Sequence, residues 1–143
     1  MSATDGVGEN AVLTAVDLIG EPAPQVPREM RERCLSDAPL CQRQLQDFLE
    51  CMLERKTESM CQEVIYLLSK CRQRRDAQLR QCVLAADEAL GTPVARLQGE
   101  LQQAQDELRD TEANGRFAEV SHARSRVRDL QARIVARQRS QQP

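Results

Sequence analysis

Hydrophobic positions recur along this chain at helical spacing, and each run of them predicts an element. Cys41, Leu45, Phe48 and Met52 step by four, three and four, which places them on one face of a helix ending near Arg55. Ser36 or Asp37 ahead of Pro39 supplies the N-cap and early-turn proline that open such a helix. The polar stretch Glu54–Ser59 reads as a turn, and a second helix starts near residues 57–59. Its stripe is long: Cys61, Val64, Ile65, Leu68, Cys71, then Leu79, Cys82, Val83, Ala86 and Leu90. At about 100° per residue these positions cover about a third of the circumference, so the spacing predicts an unbroken helix up to Gly91-Thr92-Pro93.

Beyond that break Leu97, Leu101, Ala104, Leu108 and Thr111 form a heptad seam, Asn114-Gly115 marks a turn, and Val120, Ala123, Val127, Leu130 and Ile134 form a second seam. Residues 97–114 hold five acids and one base, whereas residues 116–139 hold seven bases and two acids. Two seams of opposite charge joined by Asn-Gly predict an antiparallel helical hairpin. One continuous helix is the alternative, because glycine inside a helix costs only ~1 kcal/mol. Ahead of all this, Asn10 can cap a short helix over Ala11–Ile19 with Val12, Ala15, Val16 and Ile19 on one side, too short to stand alone. The pattern divides the chain into an N-terminal docking arm (1–33), a cysteine-bearing helical hairpin (34–90) and a C-terminal helical hairpin or long helix (91–143).

Composition fits an all-α protein with one modest core. Of 143 residues 41% are hydrophobic, yet the aromatics are only Phe48, Tyr66 and Phe117. Acids and bases nearly cancel at 22 against 20, which argues against a free-standing nucleic-acid binder. The apolar run Ala11–Ile19 is interrupted by Thr14 and Asp17 and falls short of the ~20 residues of a membrane span. Residues 1–27 carry Asp5, Glu9, Asp17 and Glu21 without a Lys or Arg, the opposite of a matrix transit peptide, and lack the basic lead of a secretory signal. A single histidine, His122, stands among charged residues and reads as a surface position, so acid/base or Cys–His catalysis has little to build on. The expectation is a protein that is not an enzyme. The basic cluster Lys70, Arg72, Arg74, Arg75 and Arg80 reads as a solvated face or a patch for an acidic partner, since no stacking aromatics accompany it for RNA readout.

Six cysteines, at 34, 41, 51, 61, 71 and 82, lie within 49 positions. Nine residues separate Cys41 from Cys51, and nine separate Cys61 from Cys71. Ten helical steps span about 15 Å, so neither pair can close within its own helix and the bonds must cross. In an antiparallel hairpin turning near residue 56, Cys41 lies opposite Cys71 and Cys51 opposite Cys61, although spacing alone leaves three connectivities open for four cysteines. Cys34–Cys82 is sterically possible as a third bridge, if the chain ahead of the first helix is partly extended.

The motif CQRQLQDFLEC followed by CQEVIYLLSKC resembles the twin Cys-x9-Cys, or coiled-coil-helix-coiled-coil-helix (CHCH) domain, proteins of mitochondria, over roughly residues 34–85. Cys34, Cys82 and residues 91–143 lie outside that family's pattern. The resemblance implies a disulfide-stapled helical hairpin in the intermembrane space, peripheral to the inner membrane, without a cofactor. It also implies that Leu45, Phe48, Val64, Ile65 and Leu68 form the docking face offered to the import oxidoreductase of that compartment. Copper-carrying family members have an adjacent Cys-Cys that is missing here, and no two cysteines have zinc-site spacing, so no metal is expected. The family further implies a non-catalytic accessory subunit of a respiratory-chain complex, first among them complex I, with protein subunits of a large inner-membrane complex as partners and no nucleic acid. A cytochrome oxidase assembly factor or metallochaperone, and a small-subunit mitochondrial ribosome protein, are the alternatives.

Overall fold

The structure is a computed structural model and describes residues 22–143; the expected helix over Ala11–Ile19 lies outside the described residues. The described elements are helical throughout, with no strand among them. A 3-10 turn, Arg28–Met30, leads into α1 (Arg31–Leu35), followed by α2 (Gln42–Arg55), a second 3-10 turn (Glu58–Met60), α3 (Gln62–Leu90), α4 (Val94–Asn114) and α5 (Phe117–Ser140). Among the described residues no helix is long and apolar enough to cross a membrane. The described chain falls into two compact units, one of residues 40–73 and one of residues 22–39 with 74–143, and α3 contributes to both.

In the first unit α2 starts later than the N-cap signal predicts. Pro39 drives the residue before it out of the helical region, and the helix opens only after Cys41, which sits at φ 56 in the left-handed region as N-cap. The Cys41 carbonyl accepts the Leu45 N–H at 3.0 Å. At the other end Lys56, at φ 60, donates its N–H to the Met52 carbonyl at 3.0 Å. Each non-glycine residue in this region costs about 1–2 kcal/mol, so the surrounding hairpin must hold them there. A 3-10 turn closes on the Cys61 N–H, and α3 then begins at Gln62. The seam between α2 and this part of α3 is centred on Ile65 and Leu68, both fully buried, with Phe48, Met52 and Val64 half-buried against them. Leu45, expected on the same face, is 38% exposed. Cys51 lies about 120° round the helix from Leu45, so the face that includes Cys51 turns Leu45 to the rim.

In the second unit α3 ends in a Schellman motif. Gly91, at φ 65, donates to the Glu88 carbonyl, the Thr92 N–H reaches back to Asp87, and Pro93 prevents continuation. Helices α4 and α5 fold back on each other. Leu97, Ala104, Val127, Leu130 and Ile134 are buried between them, with Val94, Leu101 and Leu108 at the margin. The turn depends on Gly115 for space, since a Cβ there would collide with the Thr111 carbonyl oxygen and side-chain methyl. The Arg116 N–H is accepted by the Glu119 carboxylate at 3.4 Å, which tethers the start of α5. The opposite charges of the two helices meet as exposed pairs, Arg126–Glu107 at 2.8 Å and Arg124–Glu112 at 3.6 Å, each worth at most about 1 kcal/mol.

Residues 22–35 form the remaining wall of this unit. Met30 is fully buried and Cys34 nearly so, packed with Val83 and Ala86 of α3 and with Val26. The two helices α3 and α5 are tied by a buried ion pair. The Arg133 Nε and Nη2 donate to Asp87 Oδ2 and Oδ1 at 2.7 and 2.8 Å, with the two side chains 9% and 1% exposed. Just beyond, Arg137 Nε caps the Thr92 carbonyl at 2.9 Å.

Removing one partner of a buried, bidentate pair strands the other charge. Asp87→Ala should therefore lose about 3–5 kcal/mol in urea unfolding of the oxidised protein, and Asp87→Leu/Arg133→Leu should recover most of that loss. A Gly115→Ala variant forces the turn open and should lose about 1–3 kcal/mol, read in the same denaturation experiment.

Candidate functional site

All six cysteines are bridged: Cys41–Cys71, Cys51–Cys61 and Cys34–Cys82, with Cα separations of 5.9, 5.9 and 5.7 Å. No thiol is left over as a nucleophile or metal ligand. Two of the bridges cross the first unit, one at each end of the α2/α3 seam, and Cys34–Cys82 closes within the second unit. The three are nested, so each closes an effective loop of between ten and about twenty residues once the next bridge inward exists, worth about 2.5–3.5 kcal/mol apiece. Two helices with one covered side bury too little to replace that contribution.

The residues assigned to an import face divide. Ile65 and Leu68 are sealed in the seam, Phe48 and Val64 are half-buried beside them, and Leu45 stands at the surface. Leu45 instead shares the outer side of α2 with Leu49 and Leu53, 51% and 77% exposed, at steps of four residues. Neither of these two was singled out from the sequence, though the i, i+4 spacing was there to be read. On α3, Tyr66 and Leu67 are also about half exposed, and the Lys70 ammonium lies over the Tyr66 ring at 5.5 Å. Within the basic cluster, Arg75 is held by Asp76 at 3.0 Å and Arg80 by Asp129 at 3.3 Å. His122 is exposed on α5. Among the described residues no group of three or more His, Cys, Asp or Glu side chains could hold a metal ion.

The second unit contains a groove of about 400 Å³. One wall is the non-helical run Pro24–Pro27 with Arg28 and Glu29, and the apolar floor comes from Val83, Leu84, Leu130 and Ala132. Five arginines reach it, at 28, 80, 96, 126 and 133, against the carboxylates of Glu29, Glu100 and Asp129. Arg96 bridges Glu29 at 2.6 Å and Glu100 at 3.2 Å. A backbone hydrogen bond and then the Arg96 guanidinium hold the Glu29 carboxyl below its usual range, while Glu29 and then Glu100 raise Arg96 further. The small stabilisation from this exposed pair is present at neutral pH and lost as pH falls through the lowered Glu29 value. Arg28 has no acidic partner among the described residues.

These features define an all-helical protein built on a disulfide-stapled hairpin. The chain belongs to the family described as "Domain of unknown function (DUF7803)", whose model matches residues 3–121. No curated protein and no solved structure matches it.

Truncations should separate seam from surface. In thermal or urea unfolding Ile65→Ala should lose about 3–4 kcal/mol and Phe48→Ala about 1.5–2.5 kcal/mol, because Phe48 is only half enclosed. Leu53→Ala, at an exposed site, should stay within about 0.5 kcal/mol of the parent.

Proposed function

We propose that this chain is a twin Cys-x9-Cys protein of the mitochondrial intermembrane space, and that it serves there as a non-catalytic structural subunit of a respiratory-chain complex, complex I before others. The observation that carries the reading is the bridge pattern. Two helices with nine residues between their cysteines are stapled at both ends by Cys41–Cys71 and Cys51–Cys61. Structural disulfides form and persist chiefly in oxidising compartments, which supports this reading. A subunit role is supported by the outer leucines of α2, which lie ready for a neighbouring protein while the hairpin's own seam is already filled. The copper-carrier alternative is disfavoured because every thiol is consumed in a bridge.

The import oxidoreductase would meet the chain before it is oxidised. At that stage the seam is not yet closed, and Leu45 and Phe48 ahead of Cys51 and Val64, Ile65 and Leu68 after Cys61 are the apolar residues it would bind. Closure of the seam after oxidation then releases the product.

The test is blue-native electrophoresis of detergent-solubilised organelles, followed by mass spectrometry and by alkylation of unreduced protein. Comigration with a respiratory complex and complete protection of the cysteines are expected. Sedimentation with the small ribosomal subunit would replace the assigned complex. Rapid alkylation of Cys41, Cys51, Cys61 or Cys71 in the native protein would remove the compartment assignment.

A further inference from the structure

We infer that Asn114 is a site of spontaneous chemical modification: it loses its amide through a cyclic imide formed with Gly115, and the isoaspartate that results loosens the tip of the α4/α5 hairpin. Ring closure needs an unhindered main-chain nitrogen after the asparagine, and glycine is the residue that has no Cβ beside that nitrogen. Asn114 is exposed as the last residue of α4, and no described residue hydrogen-bonds its side chain. Gly115 follows in extended backbone, φ -88 and ψ 165, and its N–H donates one hydrogen bond to the Thr111 carbonyl at 2.5 Å. Helix ends fray at little cost in free energy, and each opening of that bond frees the nitrogen to approach the side-chain amide.

Water is the only co-reactant. The Gly115 nitrogen gives up its proton to base and attacks Asn114 Cγ; the N–Cγ bond forms, the Cγ–Nδ2 bond breaks, and ammonia leaves with a proton returned from solvent. Water then adds to one of the two imide carbonyls. Addition at Cγ breaks the new bond and yields aspartate. Addition at the main-chain carbonyl breaks the original peptide bond and yields isoaspartate, whose chain runs through Cγ and is one methylene longer. Either product places a carboxylate at the C-terminal end of α4, where the helix dipole disfavours it, and four residues from Asp110 on the same face. Isoaspartate also lengthens the main chain at a turn with no slack. The Gly115 N–H sits against the Thr111 carbonyl, a Cβ at Gly115 would collide with Thr111, and the Arg116 N–H is tied to Glu119 at 3.4 Å. The ion pairs nearest this end of the hairpin, Arg124–Glu112 and Arg126–Glu107, are exposed and too weak to hold a distorted turn closed.

The experiment ages the full oxidised chain at neutral pH and physiological temperature. Trypsin cleaves after Arg109 and Arg116, and mass spectrometry reads the peptide between them against synthetic aspartate and isoaspartate standards. The isoaspartate form is then isolated, and its amide hydrogen exchange is compared with that of the parent. Amide loss at Asn114 is expected, with isoaspartate in excess over aspartate and a rate that rises several-fold when the pH is raised by one unit. Exchange over residues 108–122 should be at least five-fold faster in the isoaspartate form. Asn114→Gln, whose longer side chain closes a less favoured ring, should keep both its amide and the exchange of the parent. Persistence of the Asn114 amide in the folded chain, aspartate without isoaspartate, or a rate that ignores pH would each overturn the inference. So would an isoaspartate form whose hairpin exchanges as the parent does.

Discussion

The described structure depends on three cysteines set along one stretch of chain. Cys61 stands at the mouth of α3, and Cys71 and Cys82 follow within that helix at ten and eleven residues, about 15 and 16 Å apart along the axis. At that spacing they cannot bond to each other, so each must find its partner upstream. The partners Cys51, Cys41 and Cys34 occur in reverse order, which nests the loops. Nesting keeps every effective loop short, so no bridge has to close a long, disordered chain on its own. The left-handed residues Cys41 and Lys56 sit where the chain enters and leaves α2, within the span that Cys41–Cys71 and Cys51–Cys61 enclose. Their strain is sustained because the bridges fix the ends of the helix that they border.

Different parts of this fold were legible in the sequence to different degrees, for physical reasons. The heptads of α4 and α5 were plain, because Leu97, Leu101, Ala104 and Leu108 face Val127, Leu130 and Ile134 with little else to bury. The cysteine ladder left several connectivities open, and only the assumption of an antiparallel hairpin ordered them. The stretch 22–35 gave no periodic signal. Its contribution comes from a 3-10 turn and a five-residue helix, where one fully buried Met30 and one bridged cysteine do the anchoring. Leu45 shares the helical spacing of Cys41, Phe48 and Met52, but the burial of the face containing Cys51 leaves it at the rim.

The pair Asp87–Arg133 shows why a polar residue on an apolar helix face should be weighed and not discarded. Periodicity counts Val83, Ala86 and Leu90 and passes over Asp87, yet Asp87 is 1% exposed whereas Leu90 is half exposed. A seam of leucines, valines and alanines is tolerant of sliding by a heptad, since any apolar layer fits any other moderately well. A bidentate guanidinium–carboxylate pair is not tolerant: displaced by one turn, it leaves two desolvated charges without partners. Arg137 on the Thr92 carbonyl adds a second fixed point one turn further along α5. The two arginines thus select a single register of α5 against the end of α3, a selection that the apolar residues alone do not make.

The same division of labour explains the outer face of α2. A two-helix hairpin held only by hydrophobic contact would direct all of its leucines inward, because its seam would be the main source of stability. In this chain the covalent bridges take over a large share of that task, and Phe48, Met52, Val64, Ile65 and Leu68 suffice for the interior. Leu45, Leu49 and Leu53 are then free to remain outside, spaced so that they line up along one side of the helix. Apolar residues scattered singly on a surface need no explanation, but a regular row beside a filled seam presents a continuous strip of surface that water solvates poorly. Stapling is what makes such a strip compatible with a stable fold.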